Sequence, residues 1–137
     1  MRNGGRKPMA RNKFNARKVV TADGVFDSHK EYERYLQLRL LERSGKIFKL
    51  DRQAVFTLIP AQYEFFERYG KTGKRLKDGK RCVEKACTYR ADFVYYDDQG
   101  RQVVEDCKGY QKKAAYDVFV MKRKLMLSVH GIRVKEI

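Results

Sequence analysis

The segment Tyr89-Arg90-Ala91-Asp92-Phe93-Val94-Tyr95-Tyr96, the turn Asp97-Asp98-Gln99-Gly100 and the segment Arg101-Gln102-Val103-Val104-Glu105-Asp106-Cys107-Lys108 read together as a β-hairpin. Both runs are largely apolar, yet the first carries a carboxylate at Asp92 and the second ends on an acid-x-lysine triplet. Charged groups in apolar strands are costly to bury unless a partner or a bound ion compensates them.

Side chains alternate between the two faces of a strand, so Asp106 and Lys108 share one face while Glu105 and Cys107 take the other. Whether Asp92 joins the first pair depends on the turn. If Asp98, Gln99 and Gly100 form the loop, with the glycine in a left-handed bulge position, Asp97 pairs with Arg101 and Asp92 falls opposite Asp106. A loop longer by one residue pairs Tyr96 with Arg101, sets Asp92 opposite Glu105 and turns Lys108 away. The shorter loop is preferred because it accounts for the lysine.

Cross-strand carboxylates lie about 4.5–5.5 Å apart at Cβ and repel each other unless they share a proton or a cation. Hard oxygen ligands with positions left for water suit Mg²⁺ or Mn²⁺. Such an ion activates a water and neutralises phosphate charge, and a lysine beside it can orient that water or stabilise the transition state. Phosphodiester hydrolysis is the reaction this set suits. The plainer alternative is a salt bridge from Asp106 to Lys108 or Arg90, with no chemistry.

The rest of the chain agrees with a nucleic-acid partner. Its 137 residues fit one domain, and 32 Lys and Arg against 17 Asp and Glu give a net charge of +15. No run approaches the roughly 18 apolar residues of a membrane span, and the basic start carries no secretory signal, so a cytoplasmic location is expected. Three cysteines, an odd number, argue against a disulfide framework. Cys82 and Cys87 lack the second pair that a structural zinc site needs.

Residues 1–18 form a basic arm with no acid, expected to be flexible, and the folded domain is expected to span 19–137. Asp23-Gly24 marks a hairpin between Val19–Ala22 and Val25–Phe26. Ser28 with Glu31 has the capping-box spacing, predicting a helix over 28–44 that stops at Gly45. Strands are expected from Ala54 to Ile59, Gln62 to Tyr69, 83 to 96 and 101 to 107, with a mobile basic loop over Gly70–Arg81. Val118, Met121, Leu125 and Val129 recur at helical spacing, predicting a helix over 112–129 stopped by Gly131 and followed by a closing strand.

Asp92, then Asp106-Cys107-Lys108 on the next strand, with an acidic helix before the sheet and a helix and strand after it, resembles the core of the PD-(D/E)XK nuclease superfamily. More closely, FDSHKEYERYLQLRLLERSGKI, YRADFVYYDDQGRQVVEDCKG and MKRKLMLSVHGIRVKEI resemble a family of small phage and prophage proteins of unknown function assigned to that fold. The resemblance covers about residues 19–137. It implies an α/β (α+β) restriction-endonuclease-like core, αβββαβ, with a mixed central sheet flanked by helices. It implies Asp92, Asp106 and Glu31 as metal ligands and Lys108 as the catalytic lysine. Ala91 stands where the superfamily name has proline, and Asp106 is shorter than the usual glutamate, which leaves Glu105 as an alternative ligand. Glu31 has a competing role as a helix cap.

The expected function is a Mg²⁺- or Mn²⁺-dependent endodeoxyribonuclease. By analogy with the resolvase branch, its substrate is branched DNA such as a Holliday junction in phage recombination, cut by a homodimer in the bacterial host. The alternatives are a DNA nuclease without junction preference and a non-catalytic nucleic-acid-binding protein. DNA contacts are expected from Lys71, Lys74, Arg75 and Lys77 in the basic loop and from Arg90 on the hairpin. Further contacts are expected from Tyr110, Gln111, Lys112, Lys113, Lys122, Arg123 and Lys124 around the second helix.

Overall fold

The computed structural model describes residues 17–109 and 111–137. Most of the basic arm, and Tyr110, lie outside the described residues. The described elements are β1 (Val19–Thr21), β2 (Gly24–Phe26), α1 (His29–Arg43), β3 (Ile47–Ile59), β4 (Gln62–Tyr69), β5 (Arg75–Glu84), β6 (Cys87–Asp97), β7 (Gln102–Asp106), α2 (Lys113–His130) and β8 (Lys135–Glu136).

The hairpin of β6 and β7 takes the shorter loop. Tyr96 pairs with Gln102 and Phe93 with Glu105, the Asp97 N–H donates to the Arg101 carbonyl at 2.9 Å, and Gly100 has φ +75°. A positive φ costs glycine nothing, so Gly100 lets the bulge close with Asp92 and Asp106 next in line beyond Phe93 and Glu105. Four strands form one sheet in the order β3-β6-β7-β8. β3, β6 and β7 are antiparallel and β8 lies parallel to β7, so the fold is α+β with a mixed sheet. With the two small hairpins set aside, the order is helix, three strands, helix, strand.

The two helices cover opposite faces. Val103 packs with Leu38 of α1, Ile47, Phe93 and Tyr95, whereas its neighbour Val104 packs with Phe119 and Met126 of α2, Leu58, Tyr89 and Val134. Each such large side chain contributes about 1.5–3 kcal/mol by leaving water. Ser28 caps α1 by accepting from the Glu31 N–H at 3.1 Å, and Gly131 at φ +67° ends α2.

Three sequence-based expectations need correction. β3 begins at Ile47, well before Ala54, because it bends through Lys49 and Gln53, both at positive φ, and pairs with β6 along most of its length. The run predicted as a single strand over 83–96 is two strands, broken at Lys85 and Ala86. The predicted mobile loop over Gly70–Arg81 is mostly strand, with the turn confined between Tyr69 and Arg75. Gly79 was misleading as a loop signal. A Cβ there would stand 2.3 Å from the Phe66 ring, so the glycine makes room for a cross-strand aromatic.

Candidate functional site

β8 fixes the end of β7. The Ile137 N–H donates to the Asp106 carbonyl at 2.9 Å and the Lys108 N–H to the Ile137 carbonyl at 3.2 Å, so a parallel strand continues the ladder past the carboxylate. From α1, Lys30 Nζ reaches the carbonyls of Lys108 and Ile137 at 2.8 and 2.5 Å. Backbone held on both sides gives Asp106 and Lys108 defined positions. Lys108 Nζ lies 2.6 Å from Asp106 Oδ1 and 3.9 Å from the centre of the Phe119 ring. The other Asp106 oxygen accepts from the buried Tyr89 hydroxyl at 2.7 Å.

Asp92 stands between two acids. Its Oδ2 accepts from the Cys107 N–H at 2.7 Å and its Oδ1 from Gln53 Nε2 at 3.3 Å. Burial first, then the charge of Asp106, push its pKa up to about 7, with Glu31 adding to the rise and the Cys107 N–H and Lys108 opposing it. Burial first, then the charges of Asp92, Glu105 and Glu31, push the Cys107 thiol up to about 12, so that cysteine is neutral and a poor nucleophile.

Glu31 is 2 % exposed. Its expected capping-box bond to the Ser28 N–H is replaced by one from the Asp27 N–H to Oε2 at 2.9 Å, which leaves Oε1 turned to Gln53 Nε2 at 3.2 Å. Burial, reinforced by the charge of Asp27, raises its pKa despite the Asp27 N–H. Cap and site roles therefore fall to different atoms of one carboxylate. Arg52 stacks on Phe26, 3.7 Å from the ring centre, and lies 4.0 Å from Glu31.

Gln53 escaped the sequence reading because its run was not recognised as strand. Its one amide nitrogen donates to both Glu31 and Asp92, so a group of partial positive charge joins the α1 acid to the β6 acid. Its φ of +54° is unusual for a residue with a side chain, and it sits between the ladder pairs Arg52–Phe93 and Ala54–Ala91. The available signal was polar: Asp51-Arg52-Gln53 interrupts a β-run that is otherwise mostly apolar.

Glu105 points to the other face, as alternation requires. It is wholly buried and accepts from Arg34 Nε and Nη2 at 2.8 and 2.6 Å and from the Tyr95 hydroxyl at 2.6 Å. Burial raises its pKa, but the bonds and charge of Arg34 and the Tyr95 hydroxyl outweigh it and leave the pKa lowered. With these partners it is an anchor for α1, and the role of alternative ligand to Asp106 has no geometric support.

Among the described residues, no three His, Cys, Asp or Glu side chains are already drawn into a metal-binding arrangement. The donor set still suits a hard divalent cation by its chemistry. Glu31, Asp92 and Asp106 offer only carboxylate oxygens, and Asp92 and Glu31 both have raised pKa values. In this structure Lys108 on Asp106 and Arg52 near Glu31 supply positive charge, and the neutral amide of Gln53 links Glu31 and Asp92 by hydrogen bonds.

The basic residues fall into two regions. Lys71 and Lys74 occupy the β4–β5 turn, Arg75 pairs with Asp78 at 2.8 Å, and Lys77 is exposed on β5. Arg90 is exposed on β6, while Gln111, Lys112 and Lys113 lead into α2 just beyond Lys108. Gln111 Nε2 is buried without a hydrogen-bond partner among the described residues. Of the α2 residues, Lys124 is exposed, Lys122 is half-buried, and Arg123 lies 3.6 Å from Glu136.

The family model described as a protein of unknown function, DUF1064, matches residues 11–135, and the chain belongs to that family. No curated protein and no solved structure matches it. Among the described residues no helix is long and apolar enough to cross a membrane.

Proposed function

We propose that this DUF1064 protein is a divalent-metal-dependent endodeoxyribonuclease of the PD-(D/E)XK kind, with Glu31, Asp92 and Asp106 as ligands and Lys108 as the catalytic lysine. The observation that carries the reading is the hairpin register, which brings Asp92 to the Asp106–Lys108 pair from one strand while α1 brings Glu31 from another layer. Hairpin salt bridges do not need a third buried acid from a helix.

When bound, Mg²⁺ or Mn²⁺ supplies charge neutralisation at a phosphate oxygen and a water of lowered pKa. The chain's own groups do the rest. Lys108, with its ammonium on Asp106, can turn to the attacking water or to a non-bridging phosphate oxygen and offset the charge that develops there. Tyr89 fixes the Asp106 carboxylate by its hydroxyl, and Gln53 sets the spacing of Glu31 and Asp92. The +15 charge supplies phosphate contacts without base reading, which accords with a substrate recognised by shape. Branched DNA and a homodimer making paired cuts follow from the resemblance to resolvases.

One observation favours the non-catalytic alternative. Both Asp106 oxygens already have partners, in Lys108 and Tyr89, as a structural ion pair would. Purified protein incubated with plasmid and with a synthetic four-way junction, in Mg²⁺, Mn²⁺ or EDTA, separates the readings. Metal-dependent cleavage lost in Asp106→Ala and in Lys108→Ala is expected. Cleavage unchanged in those variants rejects the site, and no cleavage of any substrate in either metal leaves a binding protein. Paired symmetric nicks identify a resolvase, and scattered cuts a general nuclease.

A further inference from the structure

The β4–β5 ribbon is the least covered part of the described chain. Every residue of β4 is exposed, and of β5 only Gly79 is buried, beneath Phe66. A free two-stranded ribbon is at best marginally stable in water, and aromatic side chains left bare on one signal a partner.

The ladder sorts its side chains. Tyr63 pairs with Cys82 and Phe65 with Lys80, placing Tyr63 and Phe65 on one face, and Lys80 Nζ lies 3.9 Å from the centre of the Tyr63 ring. Phe66 lies on the opposite face over Gly79, with Arg81 near its ring. Tyr63 is 47 % exposed and Phe65 67 %. Side chains two residues apart leave a strand about 6.8 Å from each other, twice the roughly 3.4 Å rise per nucleotide of a stacked strand. At these exposures both rings have surface open to a flat base.

Charge identifies the occupant. From Gln62 to Glu84 the ribbon has seven Lys or Arg against four Asp or Glu, so two copies face to face would bring like charge to like, while a phosphate backbone brings the opposite sign. We infer that the Tyr63–Phe65 face of the β4–β5 ribbon is a stacking platform for the unpaired bases of a nucleic-acid strand, with Lys80 and its basic neighbours following the backbone. The platform works independently of the carboxylates and so stands whether or not the site cleaves.

The chain has no tryptophan, so Phe65→Trp introduces a single reporter into the full-length protein. In EDTA, where cleavage plays no part, oligo-dT and oligo-rU are both expected to quench the new indole, and a blunt duplex to quench it little. In wild-type background, Tyr63→Ala with Phe65→Ala should weaken oligo-dT binding about tenfold or more and duplex binding less than about twofold, with Phe65→Tyr close to wild type. Unchanged circular dichroism confirms that the variants fold. Absence of quenching, or equal losses for strand and duplex, overturns the proposal. So does a dimer that becomes monomeric in the double variant while its affinity for oligo-dT is unchanged, which would make the face a self-association surface.

Discussion

Two antiparallel hairpins in this chain have opposite fates. β6–β7 is covered on both faces by helices, buries Glu105 and Asp106 and half-buries Asp92, whereas β4–β5 is bare on both faces and carries an excess of positive charge. Both are rich in aromatic residues, so hydrophobicity does not separate them. What differs is the neighbouring structure. α1 and α2 pack onto β6 and β7, with β8 extending that sheet, while the ribbon packs chiefly on itself. Burial converts acids into a strained, electrostatically frustrated cluster, and exposure turns aromatics and lysines into a contact surface.

The comparison sharpens most at the covered hairpin. Replacing Asp106 or Lys108 with alanine is expected to lower the cleavage rate by about 100-fold to 1,000-fold, measured with saturating metal on a junction, if these groups act on the transition state. An effect below about tenfold would return Asp106 and Lys108 to a structural pair.

Arg34→Ala tests the other face of the same hairpin. It strands Glu105, wholly buried and left with the Tyr95 hydroxyl and the charge of Lys135, and should destabilise the fold by about 3–5 kcal/mol in urea titration. A smaller change would mean that water reaches Glu105.

Asp92 gives the pH dependence. Its pKa in the folded chain is about 7 against an ordinary 3.8, so between those values the folded state holds a proton that the unfolded chain has lost. Metal-free stability should therefore fall as pH rises from about 4 to about 7 and level off above. Asp92→Asn should flatten that slope and add up to about 4 kcal/mol at pH 8 while abolishing cleavage. Denaturant midpoints across this range, in EDTA, measure it; a slope that persists in Asp92→Asn assigns the titration elsewhere.

The smallest global effect is expected at the ribbon. Gly79→Ala drives a methyl into the Phe66 ring, yet overall stability should change by less than about 0.5 kcal/mol because little else rests on β4 and β5. Hydrogen exchange should instead accelerate within Gln62–Glu84 alone. A large loss of global stability would show that the ribbon is part of the cooperative core.

Much of this was legible in the sequence because it is local. The turn chemistry of Asp97 to Gly100 set the register, alternation set Asp106 with Lys108 and against Glu105, and Ser28 with Gly45 bounded the first helix within a residue or so. The mixed sheet, with α1 and α2 on opposite faces, follows the expected order of elements. Tertiary structure alone decided the rest. Gly79 signals a loop until Phe66 is seen across the ladder, Gln53 is a polar residue in an unclaimed run until β3 bends it between Glu31 and Asp92, and Glu105 is a spare acid until Arg34 reaches it. Turn type and strand alternation depend on backbone geometry over a few residues, which sequence encodes directly. Contacts between Gln53, Glu31 and Asp92 depend on how separate layers pack, and no local pattern carries that information.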